Sequence, residues 1–362
     1  MRLVDEQTAP AYLRETGRIG SHEHVSVREL AGGVSNMVLL VERAPSGNEP
    51  GERFVLKQAR KQLRTSQPWF SNVERNWREA EVLTICAQLL KRGESDAIAD
   101  HEPRAQTPSI VFVDRENYLF AMSAAPVPNM VWRDELLAGR IDPRIAAACG
   151  RLLAMLHGES WLDGEIAARL GDRTLFDELR VDPYYRTLAA ACPAARPAIE
   201  RLIDSLDRHP RSLVHADFSP KNLLVSAEGL LMVDFETGHY GDPAFDLGFL
   251  LSHLVLKACR AIPRHDEFLD LSEVFHQAYS HRLTMNIVGA DLADLWARGA
   301  QNFAGCAWAR LDGKSSVDYL SDPARREAIR AVCREIFDRQ PPDWSDVVAI
   351  CRRQFAQIET RG

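Results

Sequence analysis

Short apolar runs separated by turn residues dominate the beginning of the chain. The segments VSVREL, MVLLVER, FVLKQA, SIVFVD and YLFAMS are rich in β-branched and aliphatic residues, and stretches such as AGGVSN and APSGNEPGER separate them. Runs of this length between turn signals predict β-strands. A helix is expected between the third and fourth runs, from about Val73 to Leu90, where apolar residues recur at helical spacing.

The pattern changes after AAPVPN, whose two prolines indicate a connector. From there the apolar spacing is helical almost to the end of the chain. DPRIAAACGRLLAMLHG, for example, starts with Asp142 and Pro143, a helix-start signal, and ends at Gly158.

These patterns together predict an α+β fold with two lobes. A strand-rich N-terminal lobe covers residues 1–122, and a helical C-terminal lobe covers residues 123–362. A proline-bearing hinge is expected near Met122–Pro126. Linked lobes of this kind leave a cleft at the hinge, which is a usual place for ligands.

A polar cluster interrupts the helical part at HADFSPKNLLVSAEGLLMVDFE, residues 215–236. Its runs LLV and LLMV, separated by SAEG, are typical of a β-hairpin. Asn222 precedes the first strand and Asp234 follows the second, so antiparallel pairing would bring them to one edge. Asp217 lies on the loop just ahead and is expected to face the same space.

This cluster has the chemistry of phosphoryl transfer. A carboxylate beside an amide oxygen suits Mg²⁺ and leaves room for phosphate oxygens. Asp217 could orient a hydroxyl and accept its proton. HADFSPKN and DFE match the spacing of the kinase pattern H-R-D-x-x-x-x-N followed by D-F-G. The structural alternative, in which Asp217 caps a turn while Asn222 and Asp234 bracket a hairpin, is weaker for the whole spaced set than for any single residue.

Such a site needs groups that hold nucleotide phosphates. Gly32 and Gly33 would let backbone N–H groups approach a phosphate closely, and Ser35 and Asn36 could add donors. Lys57 follows an apolar run in FVLKQA and is the candidate phosphate-binding lysine. Taken alone, a Gly-Gly turn is commonplace and a lysine at a strand end is usually solvated.

The following helix strengthens the prediction for Lys57. Glu79, Leu83, Cys86 and Leu90 are spaced i, i+4, i+7 and i+11 and therefore share one helical face. That face would carry Glu79 toward the core, where an unpaired carboxylate is unfavourable. Lys57 is the natural partner for Glu79.

Other polar residues near the cluster have structural interpretations. Asp246, in DPAFDLGFLL with Asp242, is expected to cap a helix or to bind the backbone of the loop that carries Asp217. His215 is expected to be a buried histidine that shapes this loop.

Residues farther from the cluster leave two interpretations open. Arg310, Asp312 and Lys314 could contact a substrate or belong to a solvated helix-to-loop transition. Trp69 could close over the site or pack between the lobes.

Composition narrows the class of protein. The chain has 362 residues, of which 46% are hydrophobic and 26% charged, and its net charge of −7 argues against a general electrostatic grip on nucleic acid. Seven cysteines without a CxxC pair predict buried thiols in a reducing compartment. The N-terminus shows no signal pattern, and LGFLLSHLVLKA is too short to span a bilayer. We therefore predict a cytoplasmic protein.

HADFSPKNLLV and DFETGHYGDPAFDLG resemble the catalytic and metal-binding segments of the aminoglycoside phosphotransferase and choline kinase family. That resemblance implies a protein-kinase-like bilobal fold that uses ATP and Mg²⁺. It further implies Asp217 as the catalytic base, Asn222 and Asp234 as Mg²⁺ ligands, and Lys57 as the phosphate-binding lysine. The hinge residues, Met122 and Ala124 among them, would bind adenine through their backbone.

LKQARKQLRTSQPWFSNVERNWREAEVL is also similar to the corresponding segment of methylthioribose kinases. Those proteins carry an acid two residues after the metal-binding aspartate, which implies Glu236 as a further metal ligand. The loop HADFSPKN departs from theirs and matches the broader family pattern. The phosphate acceptor therefore stays open.

The leading hypothesis is an ATP- and Mg²⁺-dependent kinase of a small-molecule hydroxyl, such as a sugar, thiosugar, amino alcohol or aminoglycoside. No nucleic-acid or membrane partner is expected, and the oligomeric state is left open. An inactive nucleotide-binding regulatory module is the alternative. A protein kinase is disfavoured because the loop between DFE and GDPAFD is too short for a protein-substrate platform.

Overall fold

The computed structural model describes residues 1–30, 36–45, 51–62, 72–93, 103–287, 289 and 291–359. The chain divides into two compact units. The first comprises Met1–Ala87 and Thr107–Val127, and the second comprises Gln88–Gln106 and Pro128–Gly362. The predictions for Gly32, Gly33, Ser35 and Trp69 fall outside the described residues.

The strands lie in both units, and five of them form the centre of the first unit. In chain order the strands of the described ranges are β1 (Val25–Glu29), β2 (Asn36–Arg43), β3 (Arg53–Ala59), β4 (Ala105–Gln106), β5 (Ile110–Asp114), β6 (Leu119–Ser123), β7 (Asn129–Val131), β8 (Ser212–Val214), β9 (Leu223–Ser226), β10 (Gly229–Met232) and β11 (His239–Gly241). The five strands predicted for the N-terminal part are β1, β2, β3, β5 and β6. They pair in one antiparallel sheet of order β1-β2-β3-β6-β5.

Helices form most of the second unit, whereas the first helix lies in the first unit and the second helix begins there. The helices of the described ranges are α1 (Ala9–Glu15), α2 (Arg75–Gly93), α3 (Trp132–Leu137), α4 (Pro143–Glu159), α5 (Gly164–Leu170), α6 (Thr174–Phe176), α7 (Thr187–Ala191), α8 (Arg196–Arg208), α9 (Ala244–Ala261), α10 (His265–Asn286), α11 (Leu292–Asp312), α12 (Pro323–Arg339) and α13 (Trp344–Glu359). A wider π-helix, Asp177–Arg186, connects α6 to α7. The strand-rich first unit and the helical second unit confirm the predicted α+β class.

Two helices begin close to where the sequence places them. Helix α2 starts at Arg75, near the predicted Val73, and the face from Glu79 to Leu90 is buried as expected. Helix α4 starts at Pro143, with the Asp142 side chain accepting a hydrogen bond from the Arg144 N–H. This is the arrangement that an N-cap aspartate provides.

Helices α4, α9, α10 and α11 pack against one another to form the core of the second unit. Helix α9 is buried along almost its whole length, including Leu247, Leu251 and Val255. The approach of α4 to α10 depends on Gly150, because a Cβ there would lie 2.6 Å from the Phe275 carbonyl oxygen. Close helix contact at this point therefore requires the absence of a side chain.

The prediction of an almost entirely helical second part is wrong in one respect. Strands β4, β10, β9 and β7 form a four-stranded sheet, and β8 pairs with β11. Apart from the predicted hairpin, these strands have only two or three residues. Segments this short show no alternation that a sequence pattern could reveal.

All seven cysteines lie in described parts of the chain and are free thiols, six of them buried. This agrees with the predicted buried thiols. None of the helices in the described ranges combines the length and apolarity that a membrane span requires.

Candidate active site

The predicted hairpin is formed by β9 and β10. Leu223 pairs with Met232, and the Val233 N–H donates to the Asn222 carbonyl oxygen at 3.0 Å. Asn222 and Asp234 therefore lie at the same end of the hairpin, as the sequence predicts. The proximity of Asn222 and Asp234 follows from the register of the two strands.

Asp217 lies against Asn222 and is 3% exposed. The Asn222 side-chain amide donates to Asp217 Oδ2 at 2.7 Å and to the Asp217 carbonyl oxygen at 2.9 Å. With its NH₂ group used in this way, the Asn222 Oδ1 atom accepts no hydrogen bond from the described residues. The three residues of the predicted catalytic loop and metal segment are thus brought together.

Two basic side chains hold Asp217, and sequence reasoning missed both. Arg180 Nη2 lies 2.9 Å from Asp217 Oδ1, and Lys221 Nζ lies 2.8 Å from Asp217 Oδ2. Burial acts to raise the pKa of the Asp217 carboxyl, but the charges of Arg180 and Lys221 outweigh burial and hold that pKa below its usual value. Asp217 is therefore a carboxylate at neutral pH.

Arg180 reaches this loop from the π-helix. Besides its contact with Asp217, its Nε donates to the Ala216 carbonyl oxygen at 2.6 Å and its Nη1 donates to the Leu179 carbonyl oxygen at 2.7 Å. The side chain is 11% exposed. π-Helical segments are rare in proteins, but those that occur are often found at functional sites. In the sequence, the only sign of this segment is Pro183, which lies inside it.

The loop is fastened to helix α9 through Asp246. Asp246 Oδ2 accepts a hydrogen bond from the His215 N–H at 2.7 Å, and Oδ1 accepts one from the Ala216 N–H at 2.8 Å. His157 Nε2 lies 3.3 Å from Asp246 Oδ2. Of the two roles expected for Asp246, the structure shows backbone binding.

Capping of α9 belongs instead to Asp242, whose Oδ1 accepts a hydrogen bond from the Ala244 N–H at 3.0 Å. Its carboxylate also pairs with Arg298 at 3.0 Å. Burial raises the pKa of Asp242 in spite of this pair.

His215 is 1% exposed. Its Nδ1 accepts a hydrogen bond from the Asp217 N–H at 3.1 Å. Burial lowers the pKa of His215, so the ring is neutral at pH 7 in spite of nearby Asp246 and Asp217. This agrees with a histidine that shapes the loop.

Two non-glycine residues at this site adopt left-handed backbone angles. Ala216 has φ 59° and Asp234 has φ 74°. Such angles are unfavourable for residues with a Cβ and persist where surrounding contacts over-determine them. The hydrogen bonds of Arg180 and Asp246 to Ala216 are contacts of that kind.

The residues predicted to bind Mg²⁺ fit a hard cation. Carboxylate oxygens of Asp234 and Glu236 lie within 4.8 Å of each other. Two carboxylates so close repel each other unless a positive charge stands between them. Together with the Asn222 Oδ1 atom at the same end of the hairpin, they are oxygen donors of the kind Mg²⁺ prefers.

The first unit contains the predicted ion pair. Lys57 Nζ lies 2.6 Å from Glu79 Oε1, with the side chains 6% and 1% exposed. Strand β3 and helix α2 supply one partner each, as the apolar spacing of α2 indicates. A buried pair of this geometry fixes the lysine side chain in one position.

The predicted hinge residues Met122 and Ala124 lie in the first unit. Met122 pairs with Val55 in the first unit's sheet, and the Ala124 N–H donates to the Arg53 carbonyl oxygen at 3.3 Å. A nucleotide contact from Ala124 would therefore use its carbonyl group.

Asp312 is held by Arg330 at 2.7 Å and accepts a hydrogen bond from Trp308 Nε1 at 3.0 Å. These contacts occupy the Asp312 carboxylate within the second unit.

Comparison with known proteins places the chain in a family. The sequence signature of the phosphotransferase enzyme family matches residues 26–264. A methylthioribose kinase of Enterobacter sp. (strain 638) is 23% identical over 333 residues, covering 84% of this chain and 76% of the relative. Methylthioribose kinase 2 of Oryza sativa subsp. japonica is 23% identical over 288 residues, covering 70% and 63%.

A solved choline kinase of Cryptosporidium parvum Iowa II covers 99% of this chain and 96% of its own, with a TM-score of 0.49 and 11% sequence identity. The match of the family signature confirms the predicted resemblance to the aminoglycoside phosphotransferase family. Because the family signature spans more than half of the chain, including Lys57, Asp217 and Asp234, this protein belongs to the phosphotransferase enzyme family and is a small-molecule kinase that acts on a hydroxyl group.

Proposed function

We propose that the protein transfers the γ-phosphoryl group of ATP to a hydroxyl of a small molecule with the help of Mg²⁺. The observation that supports this most is the fixed carboxylate of Asp217, which Asn222, Arg180 and Lys221 hold at 2.7 to 2.9 Å. Phosphoryl transfer demands positioning and charge neutralisation more than covalent chemistry, and this site supplies both.

Asp217 orients the acceptor hydroxyl in this proposal. Its Oδ1 atom contacts only Arg180 among the described residues, which leaves a lone pair for a hydroxyl proton. A carboxyl with a lowered pKa is a weak base, so Asp217 takes the proton late, when the hydroxyl oxygen has begun to bond to phosphorus. Lys221, whose side chain is 43% exposed, can neutralise charge on the transferred group.

Asn222, Asp234 and Glu236 are the residues that would hold Mg²⁺. When bound, this ion neutralises charge on the phosphate oxygens. On the nucleotide side, Lys57 binds phosphate while Glu79 fixes its position, Gly32, Gly33 and Ser35 offer backbone and hydroxyl donors, and Met122 and Ala124 bind adenine through the backbone. The matched relatives called methylthioribose kinases support including thiosugars among the acceptors.

A coupled ADP-release screen tests the proposal, with ATP and Mg²⁺ supplied and sugars, thiosugars, sugar acids, sugar phosphates, amino alcohols and aminoglycosides as acceptors. We expect Asp217→Asn and Asp234→Asn to abolish acceptor-dependent ADP release while leaving the circular dichroism spectrum unchanged. Asp204→Asn, on the exposed surface of α8, is the matched control and should keep full activity. Turnover that survives Asp234→Asn would refute the metal role.

A further inference from the structure

A group of cationic and aromatic side chains in the second unit has no part in the proposed chemistry. Phe249, His253 and Lys257 are spaced i, i+4 and i+8 on α9 and share one face of that helix. We call the group formed by His253, Lys257, Arg310, Tyr184 and Tyr319 the Lys257 cluster.

Lys257 is the central residue of the cluster. It is 2% exposed, and its Nζ donates one hydrogen bond, to the His253 carbonyl oxygen at 3.2 Å. Nζ also lies 5.1 Å from the centre of the Tyr319 ring. Among the described residues no carboxylate lies within ion-pair distance of Lys257. A buried ammonium without a counter-charge is unfavourable, and burial lowers the pKa of Lys257 to about 7.

Arg310 adds a second positive charge to the cluster. Its Nη1 donates to Ser315 Oγ at 2.7 Å and to the Ser315 carbonyl oxygen at 2.6 Å, and it lies 3.2 Å from Tyr184 Oη. In the described part of the chain, no acid forms an ion pair with Arg310. The positive charge of Arg310 acts to lower the pKa of Lys257.

Several buried polar atoms of the cluster have no hydrogen-bond partner among the described residues. They are His253 Nε2, Arg310 Nε and Tyr319 Oη. Buried polar atoms are nearly always satisfied in folded proteins, so three orphans around two cations indicate a group that completes them. Arg310 and Tyr319 keep part of their surface exposed, so the cluster is open on that side.

The cluster is connected to Asp217 by ring contacts. Arg180, which pairs with Asp217, lies with its guanidinium carbon 5.6 Å from the Phe249 ring centre. The Phe249 ring centre is 5.1 Å from that of His253 and 5.8 Å from that of Tyr184. Within the second unit, these contacts link the Lys257 cluster to the side chain that pairs with Asp217.

We propose that the Lys257 cluster binds an anionic group of the acceptor, a carboxylate or a phosphate ester, whose hydroxyl is phosphorylated at Asp217. This inference rests on the proposed function and narrows its substrate class. An anion accepts hydrogen bonds from Lys257, from the guanidinium of Arg310 and from the Tyr319 hydroxyl, and it supplies the missing counter-charge. Although the net charge of the chain is −7, the local charge here disfavours cationic acceptors such as aminoglycosides.

Calorimetric binding to the full-length protein tests the cluster without turnover. Inorganic phosphate, glycerate and ribose 5-phosphate are the anionic probes, and glycerol and ribose are their neutral counterparts. We expect the anionic probes to bind more tightly than the neutral ones, and Lys257→Met and Arg310→Gln to weaken that binding by about tenfold or more. The exposed residues Lys91 and Arg201 provide matched controls, Lys91→Met and Arg201→Gln, which should bind as the wild type does.

Two results would overturn the inference: wild-type protein that binds anionic and neutral probes equally or not at all, or cluster variants that bind the anions as the wild type does. Thermal unfolding separates these results from misfolding, since Lys257→Met removes an unpaired buried charge and should not lower the melting temperature.

Turnover separates this inference from the proposed function. ADP release with neutral acceptors alone would refute the role of the cluster and leave the kinase assignment intact. Absence of ADP release with every acceptor, combined with anion binding that depends on Lys257, would refute the proposed function instead. With an anionic acceptor, Lys257→Met should raise the KM for the acceptor about tenfold and leave the KM for ATP unchanged.

Discussion

Arg180 and Asp217 form a nearly buried ion pair, with Nη2 and Oδ1 2.9 Å apart. The same guanidinium also donates to the carbonyl oxygen of Ala216, so one side chain fixes two consecutive residues of the loop. The planar fork of arginine suits this double contact, which a lysine could not reproduce. In the proposed mechanism, Arg180 is therefore a positioning residue for Asp217.

Replacing Arg180 tests this role. Arg180→Met should lower kcat by about a hundredfold, because a displaced catalytic carboxylate loses its alignment with the hydroxyl. The KM for ATP should change little. The kcat of Arg180→Lys should lie between those of the wild type and Arg180→Met, because lysine keeps the positive charge but lacks the planar guanidinium group. A Met variant that keeps wild-type kcat would contradict the role, and Arg201→Met serves as the surface control.

Asp246 should matter for stability as well as for turnover. Asp246→Asn places an NH₂ group where one of two backbone N–H donors now ends, so one charge-assisted hydrogen bond is lost and one donor is left unpaired. We expect the free energy of unfolding to fall by about 2 kcal/mol. Urea titration measures the loss, and kcat should fall with it because the loop loses its anchor. Equal stability of wild type and variant would show that the anchor is dispensable.

The Lys57–Glu79 pair predicts a non-additive pair of substitutions. Lys57→Met alone removes the positive charge that lies 2.6 Å from the buried Glu79 carboxylate and should destabilise the protein by about 3 kcal/mol. Lys57→Met combined with Glu79→Leu removes both charges and should recover much of that loss. Neither variant should turn over ATP. Additive losses in chemical denaturation would mean that the two side chains do not depend on each other.

Lys257 should make stability depend on pH in a particular direction. Its pKa in the folded protein is about 7, against 10.5 for an ordinary lysine. Below pH 7 both the folded and the unfolded chain hold this proton, and the unfavourable burial of the charge is fully present. Between these two values the unfolded chain holds the proton and the folded chain does not, so this contribution to stability rises with pH.

Lys257→Met removes that dependence. Its gain in unfolding free energy over the wild type should be largest near pH 6 and should shrink toward about pH 9. Arg310, Arg133 and Arg260 act to lower the pKa of Lys257 and Asp134 acts to raise it, so these side chains stay unchanged in the comparison. A gain that is the same at both pH values would show that Lys257 keeps an ordinary pKa in the folded state.

The site divides into parts that local sequence determines and parts that it does not. Asn222 and Asp234 meet because a two-strand register is encoded within a few residues, and Glu79 faces inward because helical spacing carries it there. Arg180 gave no such signal. It contacts a loop 36 positions later, and it does so from a π-helix with Pro183 inside, where α-helical periodicity no longer tells which way a side chain points.

The sequence likewise predicted a possible substrate role for Arg310 but not for Lys257 or His253. Both lie in a helix whose apolar residues predict burial, and a buried lysine is conspicuous only when its surroundings are known to contain no acid. The partnerless atoms around it belong to three separate segments, so their grouping depends on tertiary packing.

Helix α9 carries Asp246 in its first turn and Lys257 eleven residues later, toward its C-terminal end. Asp246 fixes the loop of Asp217, which every acceptor would meet. Lys257, in our proposal, binds the part of the acceptor that differs from one acceptor to another. Substitutions at positions 253 and 257 should therefore change the acceptor preference while Asp246 continues to hold the loop of Asp217. In our proposal, one helix thus connects the residue that anchors the catalytic loop with the residues that select the acceptor.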